Sequence, residues 1–344
     1  MYRQLRSFLF KLDPEVAHNL TVGLLGWAGS LSPIRQLLSH AFAPSRSQAV
    51  DILGLRFPNP VGLAAGFDKD CVAWRGLAAL GFGHIEVGTI TLKPQPGNPK
   101  PRVFRLPEDQ ALINRMGFPG KGTQFAVRRL SRIASSRVPN GVILGINLGK
   151  NSQTPNAEAA GDYLELIRLF AGQADYFAVN VSSPNTVGLR DLQARDPLEA
   201  LLKQLIRERD GLKAIWRKPL PLLVKLAPDL TDSQLDEALE AITAAGADGI
   251  IASNTTLQRN HLANLEARQS GGLSGLPLKS LSTTMIRKIS RRTGGKLPII
   301  GVGGISSPAD GREKMDAGAS LIQIYTGLVY QGPGLVKELV ENLP

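Results

Sequence analysis

The sequence predicts an α/β fold, a (β/α)₈ TIM barrel preceded by an N-terminal helical subdomain. Three observations carry that expectation. From residue 50 onward, eight short apolar runs rich in β-branched residues recur along the chain. Helical patterns separate them, and strands alternating with helices make a parallel sheet. Each run is followed by Gly, Asn, Ser or Thr, so polar residues gather where barrel enzymes place their sites, at the C-terminal ends of the strands.

The first elements are helical. Leu5, Phe8, Leu9 and Leu12 recur at i, i+3, i+4 and i+7, one face of a helix over residues 1–12, with Arg3, Arg6 and Lys11 among them. Asp13-Pro14-Glu15 reads as an N-cap, a proline at the first helical position and an acidic first turn. A second helix is therefore expected from Pro14 to about Ala28, carrying Val16, Leu20, Leu24 and Trp27. Ser32-Pro33 ends that pair, and Ile34, Leu37, Leu38 and Ala41 mark a third short helix. No apolar stretch approaches the ~20 residues of a membrane span. The break at Asp13-Pro14 and the lack of a small-residue cleavage site speak against an export signal. Two readings of this segment stand: a helical cap packed on the main domain, or a basic amphipathic hairpin lying in a membrane interface.

The eight expected strands are Pro60–Ala64, His84–Val87, Val142–Ile146, Tyr176–Val181, Leu222–Leu226, Gly249–Ala252, Pro298–Val302 and Leu321–Ile324. Several are apolar without alternation, as parallel strands covered on both faces are. Clear helices begin at Asp229-Leu-Thr-Asp232, with Leu235, Leu239 and Ile242 on one face, and at Ser307-Pro308, running to about Gly318; the last is Gly334 to Glu341. Residues 89–116 are the longest insertion. No flexible linker divides the rest, so two parts are expected, a helical subdomain over 1–45 and a barrel over 46–344.

Composition narrows the chemistry. Hydrophobic residues make up 43% of the chain and charged residues 20%, which excludes a disordered protein. Cys71 is the one cysteine, so no intrachain disulfide and no cysteine-based metal site can form, a reducing compartment is expected, and Cys71 itself reads as a packing residue. The four histidines are too scattered for a metal cluster, and no metal is expected. The net charge of +11 suits an anionic lipid surface or anionic small molecules; without basic blocks or a basic–aromatic ladder, nucleic acid is not an expected partner.

At the expected strand ends stand amides, hydroxyls, glycines and two lysines, with neither the carboxylate pair of glycoside hydrolysis nor a His-rich mouth for metal-assisted hydrolysis. Such a set suits a planar, carbonyl-rich, anionic ligand, with the hard chemistry left to a cofactor. After the seventh and eighth strands lie Gly301-Val-Gly-Gly-Ile305 and Tyr325-Thr-Gly327, glycine loops at the two positions where barrels bind phosphate; the alternative is plain strand-end turns.

These residues carry a family resemblance. Gly62-Leu-Ala-Ala-Gly-Phe-Asp-Lys69, Asn114-Arg-Met-Gly-Phe118, Gly145-Ile-Asn-Leu-Gly-Lys150, Asn180-Val-Ser-Ser-Pro-Asn185, Ser253-Asn-Thr-Thr256, Gly271-Gly-Leu-Ser-Gly275 and Gly301-Val-Gly-Gly-Ile305 resemble, in order, the motifs of class 2 dihydroorotate dehydrogenases, the quinone-dependent, membrane-associated class. The likeness runs from about residue 2 to the C-terminus. Class 1 enzymes carry a cysteine on the loop after the fourth strand; this chain has Ser183.

The resemblance implies FMN as cofactor and oxidation of dihydroorotate to orotate, in pyrimidine biosynthesis, with quinone as electron acceptor. It places FMN against Ala65, Gly66, Phe67, Asp68, Lys69, Thr89, Asn147, Asn180, Lys225, Ser253, Gly275, Gly304, Tyr325 and Thr326, with Lys225 near the N1/O2 edge of the flavin. It implies a substrate site of Lys69, Asn114, Arg115, Met116, Gly117, Phe118, Asn180, Asn185, Asn254 and Thr255. Ser183 is the implied base, taking a proton from C5 while C6 gives hydride to the flavin. A serine hydroxyl is a poor base at neutral pH, so the proton is expected to move on through Thr186 or a bound water. His18, Arg105 and Tyr325 match polar positions of the quinone tunnel. The resemblance also favours the membrane reading of the N-terminal helices, hence a monomer bound peripherally to the cytoplasmic face of the inner membrane. The rivals are an FMN barrel that reduces tRNA uridines, a design dependent on a cysteine this chain lacks at the matching strand, and a lipid-bound scaffold, which leaves the Asn/Lys mouth without a role.

Overall fold

Eight parallel strands close into a barrel, and they are the eight apolar runs of the sequence. The computed structural model describes residues 2–131, 141–260, 262–263 and 265–344; His261, one of the four histidines, lies outside them. The chain opens with α1 (Tyr2–Leu9), α2 (Pro14–Ser30) and α3 (Ser32–Phe42), followed by a hairpin of β1 (Val50–Ile52) and β2 (Leu55–Phe57). Then come β3 (Val61–Leu63), α4 (Trp74–Ala78), β4 (His84–Ile90), β5 (Val103–Leu106), β6 (Ala111–Asn114), α5 (Thr123–Ser131), β7 (Ile143–Leu148), α6 (Ala159–Phe170), β8 (Tyr176–Asn180), α7 (Arg195–Trp216) and β9 (Leu222–Leu226). The remainder is α8 (Asp232–Ala245), β10 (Gly249–Ala252), β11 (Gly272–Gly275), α9 (Lys279–Arg292), β12 (Ile299–Val302), α10 (Pro308–Asp316), β13 (Leu321–Ile324), α11 (Thr326–Gln331) and α12 (Gly334–Asn342). Around the barrel the order is β10, β12, β13, β3, β4, β7, β8, β9.

Local chemistry explains the helix starts. Asp13 Oδ1 accepts the backbone N–H groups of Glu15 at 2.9 Å and Val16 at 3.0 Å, capping α2. Thr231 and Gln234 form a reciprocal capping box at α8, and Ser307 caps α10 ahead of Pro308. The first helix is shorter than its periodicity suggests. It ends at Leu9, and the carbonyls of Phe10 and Leu12 turn to the Arg105 guanidinium, Phe10 at 3.3 Å and Leu12 at 2.8 Å.

Two elements go beyond the sequence reading. The β1–β2 hairpin turns through Leu53 and Gly54, both with positive φ (60° and 71°), and feeds the buried Phe57 into the barrel floor. There Phe57 packs with Ala178, Leu223, Ile251, Ile300 and Leu321 from the strand interiors. The insertion after β4 is not a loop: β5 and β6 pair antiparallel, and β11 joins β6, setting Gly272 opposite Asn114. This three-stranded sheet stands beside the barrel mouth.

The apolar stripe of α2 faces outward. Val16, Leu20, Leu24 and Trp27 are between 46% and 59% exposed, while Ala17, Ala28 and Gly29 are buried. The inner face is made of small residues because α2 lies directly on α4: a Cβ on Gly29 would overlap the backbone nitrogen of Gly76. Glu15 and Arg102 fasten the start of α2 to the segment entering β5, through hydrogen bonds of 2.7 and 3.1 Å between groups that are 8% and 7% exposed. That hydrogen bond holds the Glu15 carboxyl below its ordinary range despite burial.

Candidate active site

The barrel strands deliver their polar residues into one cavity of about 810 Å³, which runs from the barrel mouth to the space between the N-terminal helices. That volume lies in the upper part of the range for small-molecule and cofactor sites. At its inner end are Ser183, Asn180, Lys225 and Asn254; at its outer end are Leu5, Leu9, Leu20, Leu24 and Leu38.

A chain of amides lines the inner end. The Asn185 amide donates to Asn114 Oδ1 at 3.2 Å, and the Asn185 backbone N–H donates to Ser183 Oγ at 3.2 Å. Asn254 donates to Ser182 Oγ at 2.9 Å and to Asn180 Oδ1 at 3.4 Å. Asn180 in turn donates to Thr89 Oγ1 at 3.1 Å and Asn147 Oδ1 at 3.2 Å. Four strand ends are thereby tied into one network, and buried networks that are fully paired hold their members in fixed orientations. Lys225 stands beside Asn180 in the strand register and is 5% exposed. Lys69 donates to the Gly66 carbonyl at 2.6 Å; burial pulls its pKa down to about 8.

The glycine loops meet at another wall. Gly275, Gly303 and Gly304 have φ of 100°, 122° and 71° and line the cavity with Ser253 and Thr326. At Gly304 a Cβ would sit 2.5 Å from the Lys279 Cα, so only glycine lets the backbone pass there. The Ser274 and Thr326 hydroxyls lie 2.8 Å apart at the same wall. Backbone at close quarters with hydroxyls is a donor set that fits a phosphate, and amides with a lysine fit a carbonyl-rich ring. The residues present therefore fit FMN.

Toward the outer end, three aromatic rings step from helix to barrel. His18 on α2 meets Phe67 edge-on at 5.2 Å, and Phe67 meets Tyr325 at 5.7 Å. Burial, then the Lys69 charge, lowers the His18 pKa to about 3, so the imidazole is neutral. Arg105 lies over the Phe10 ring at 4.7 Å.

Of the residues singled out in the sequence, the cavity brings together Ser183, Lys69, Asn114, Met116, Gly117, Phe118, Asn180, Asn185, Asn254 and Thr255. It also takes in Ala65, Gly66, Phe67, Thr89, Lys225, Ser253, Gly275, Gly304, Tyr325, Thr326, His18 and Arg105. Three others are placed off its lining. Asp68 is fully buried, and its carboxylate accepts the backbone N–H groups of Val72 and Ala73, each at 2.8 Å. That position raises its pKa to about 6 through burial, and it organises the turn into α4. Arg115 points to Gln269 and the Pro101 carbonyl and stacks on Phe104. Asn147 is fully buried and reaches the site through Thr89 and Asn180.

The sequence reading missed Arg190 and Glu86. The Arg190 guanidinium donates to the Ser182 and Thr255 carbonyls at 3.0 and 3.1 Å and pairs with Asp229 at 2.9 Å, clamping the loops on either side of Ser183 and Asn254. Glu86 is a carboxylate inside a strand buried on both faces, and that mismatch is itself a signal. Among the described residues, no group of His, Cys, Asp and Glu could hold a metal ion.

Comparison with known proteins follows the same lines. Residues 47–344 match the Dihydroorotate dehydrogenase family. Dihydroorotate dehydrogenase (quinone) of a Marinomonas species is 50% identical, the match spanning 99% of this chain and 96% of that one. The protein of the same name in Stutzerimonas stutzeri is 49% identical over 100% of this chain and 98% of that one. In crystal structures, ligand-free DHODH from Eimeria tenella superposes with a TM-score of 0.87 at 38% identity, covering 96% of this chain and 94% of that one. Its complex with ferulenol gives 0.85 at 38% identity, covering 96% and 90%. On its sequence, its barrel and the site at the barrel mouth, the chain belongs to the dihydroorotate dehydrogenase family.

Proposed function

We propose that the chain is a dihydroorotate dehydrogenase (quinone), oxidising dihydroorotate to orotate in pyrimidine biosynthesis. The observation that carries this reading is the single cavity joining Ser183, Lys225 and the asparagine network to an apolar opening between α1, α2 and α3. FMN would supply the redox chemistry that links a two-electron donor substrate to a quinone acceptor. The glycine wall with Ser253 and Thr326 would hold its phosphate end, and Lys225 would supply positive charge to its ring.

The remaining chemistry belongs to the side chains. Asn114, Asn180, Asn185 and Asn254 face a planar ring of carbonyls and N–H groups: Asn114 and Asn185 turn amide donors toward it, while the amides of Asn180 and Asn254, which donate within the network, exchange those bonds for the ring's own groups. Lys69 draws the substrate carboxylate. Ser183 takes the proton from C5; the N–H of Asn185, donating to its oxygen, leaves the serine's own proton free to move on. A bound water then carries the proton toward Thr186, whose buried hydroxyl has no hydrogen-bond partner among the described residues and so makes no direct bond to Ser183. His18, Arg105 and Tyr325 form the polar points of the quinone path.

The N-terminal helices serve as a peripheral membrane contact on the cytoplasmic face of the inner membrane, with the enzyme a monomer. The outward Val16, Leu20, Leu24 and Trp27, with Phe8 at 60% and Leu37 at 68% exposed, support that role. No helix among the described residues is long and apolar enough to cross a membrane.

Anaerobic stopped-flow absorbance tests the assignment. Dihydroorotate should bleach the flavin and a quinone restore it, while NAD⁺ and fumarate do not. A protein without flavin, or a flavin left oxidised by dihydroorotate, overturns the assignment.

A further inference from the structure

Directly below the cavity, the barrel interior holds a charge that packing does not require. Glu86 on β4 is fully buried. Its Oε1 accepts from Asn147 at 2.7 Å and lies 3.6 Å from Lys225 Nζ. Its Oε2 accepts from Gln323 at 2.9 Å and from the Tyr176 hydroxyl at 3.2 Å. Side chains from four other strands, β7, β8, β9 and β13, thus converge on one carboxylate. Tyr176 on β8 reaches it over the intervening β7 because position 145 is glycine; a Cβ there would overlap the phenol ring. Burial, and after it the Glu86 charge, pushes the phenol pKa far up, so Tyr176 stays a donor.

A buried ion pair is a poor device for stability, since apolar residues of the same shape often serve as well or better. This barrel contains that alternative: the neighbouring interior residues Ala178, Leu223, Ile251 and Ile300 are apolar. What distinguishes the charged layer is its position. Lys225 and Gln323 line the cavity and are held from beneath by Glu86.

We propose that Glu86 is a positioning residue acting through Lys225: it fixes the ammonium at the cavity floor, offsets part of its charge, and so sets the reduction potential of the flavin bound above. The inference rests on the FMN reading given above. With the carboxylate removed, Lys225 presents uncompensated positive charge, and the reduced, anionic flavin is favoured. Glu86→Gln keeps the shape, and Gln323 can turn its amide to offer the new donor its unpartnered Oε1.

The test is the flavin midpoint potential of purified holoenzyme, equilibrated anaerobically with reference dyes, for wild type, E86Q, K225M and E86Q/K225M. In the wild-type background E86Q should shift the equilibrium about tenfold toward reduced flavin, about 30 mV for a two-electron couple. In the K225M background the same change should shift it less than about threefold, because coupled residues do not act additively. A structural role for Glu86 would lower thermal stability and leave the potential unmoved. With flavin bound, a midpoint unchanged or lowered in E86Q overturns the proposal, as does an equal shift in both backgrounds. Should E86Q fail to fold or to hold flavin, E86D retains the charge and withdraws it by one methylene. It should give a smaller shift of the same sign, and a wild-type midpoint overturns the proposal equally. Wild-type protein without flavin would instead count against the FMN reading itself.

Discussion

The two ends of the cavity obey opposite rules. At the barrel end, most polar groups are paired, the half-buried Asn114 with Asn185, and the buried Asn180 with Thr89 and Asn147, which reaches down to Glu86. At the helical end, apolar side chains stand in the open, and the small residues that sequence intuition would leave outside are packed inward. The proposed function accounts for the difference. A polar substrate must be held against fixed donors, and each unmatched buried polar atom costs about 1–3 kcal/mol. An apolar acceptor, on the same proposal, needs only a greasy passage.

The sharpest separation of the two ends should come from Ser183→Ala. Flavin reduction by dihydroorotate should slow by about 10²–10⁴, the usual worth of general-base catalysis. Reoxidation of pre-reduced enzyme by quinone should keep its wild-type rate, and stopped-flow traces of the two half-reactions read both. Equal slowing of both would mean that the ends do not work independently.

The strap between the ends is the next place to cut. Arg102→Met leaves the buried Glu15 with only the exposed Lys100, 3.4 Å away, as counter-charge and should cost about 2–3 kcal/mol of stability in denaturant titrations. Because the strap holds α2 over the opening, KM for quinone should rise more than KM for dihydroorotate. The helical surface alone is addressed by Val16→Glu, Trp27→Glu and Leu37→Glu together, which do not touch the cavity. Losing three apolar contacts should weaken co-sedimentation with anionic vesicles at least about tenfold, with dihydroorotate reduction of the flavin unchanged.

The smallest effects should appear in pH profiles. Lys69, lowered to about 8 by burial, is charged below that pH and neutral above it. The kcat/KM for dihydroorotate should therefore fall as pH rises through about 8, and Lys69→Met should remove that step. His18, at about 3, does not titrate between pH 5 and 7.5, so kcat/KM for quinone should be flat there. A step near pH 6.5 in the quinone profile would erase the contrast between the ends.

The barrel was legible because parallel strands buried on both faces are short apolar runs, and the runs bounded here differ from the strands by a few residues at most. The mouth was legible because polar residues after such runs have one place to go. Pairing across long separations was not: β11 meets β6 with about 160 residues between them, and no local pattern announces it. The floor hairpin turns on Leu53-Gly54 rather than on the Asn-Gly that marks such turns. Periodicity found the stripe on α2 but could not say which side faces the protein; the glycine contact with α4 decides that. Asp68 and Arg115 sit within site motifs and point elsewhere, a matter of side-chain direction that spacing does not encode.

Cys71 carries a consequence of its own. The lone thiol is wholly buried, held at a φ of 59°, and burial first, then the neighbouring Asp68 and Asp70, keeps it from ionising. Only a thiolate attacks a disulfide reagent, so labelling must wait until the stretch from Ala65 to Trp74 comes loose from the barrel. That stretch includes Gly66, Phe67 and Lys69 of the mouth. The protein therefore contains its own stopwatch: the rate at which Cys71 is modified in the native state reads the local opening free energy of the site, and a ligand that grips the mouth slows the hand.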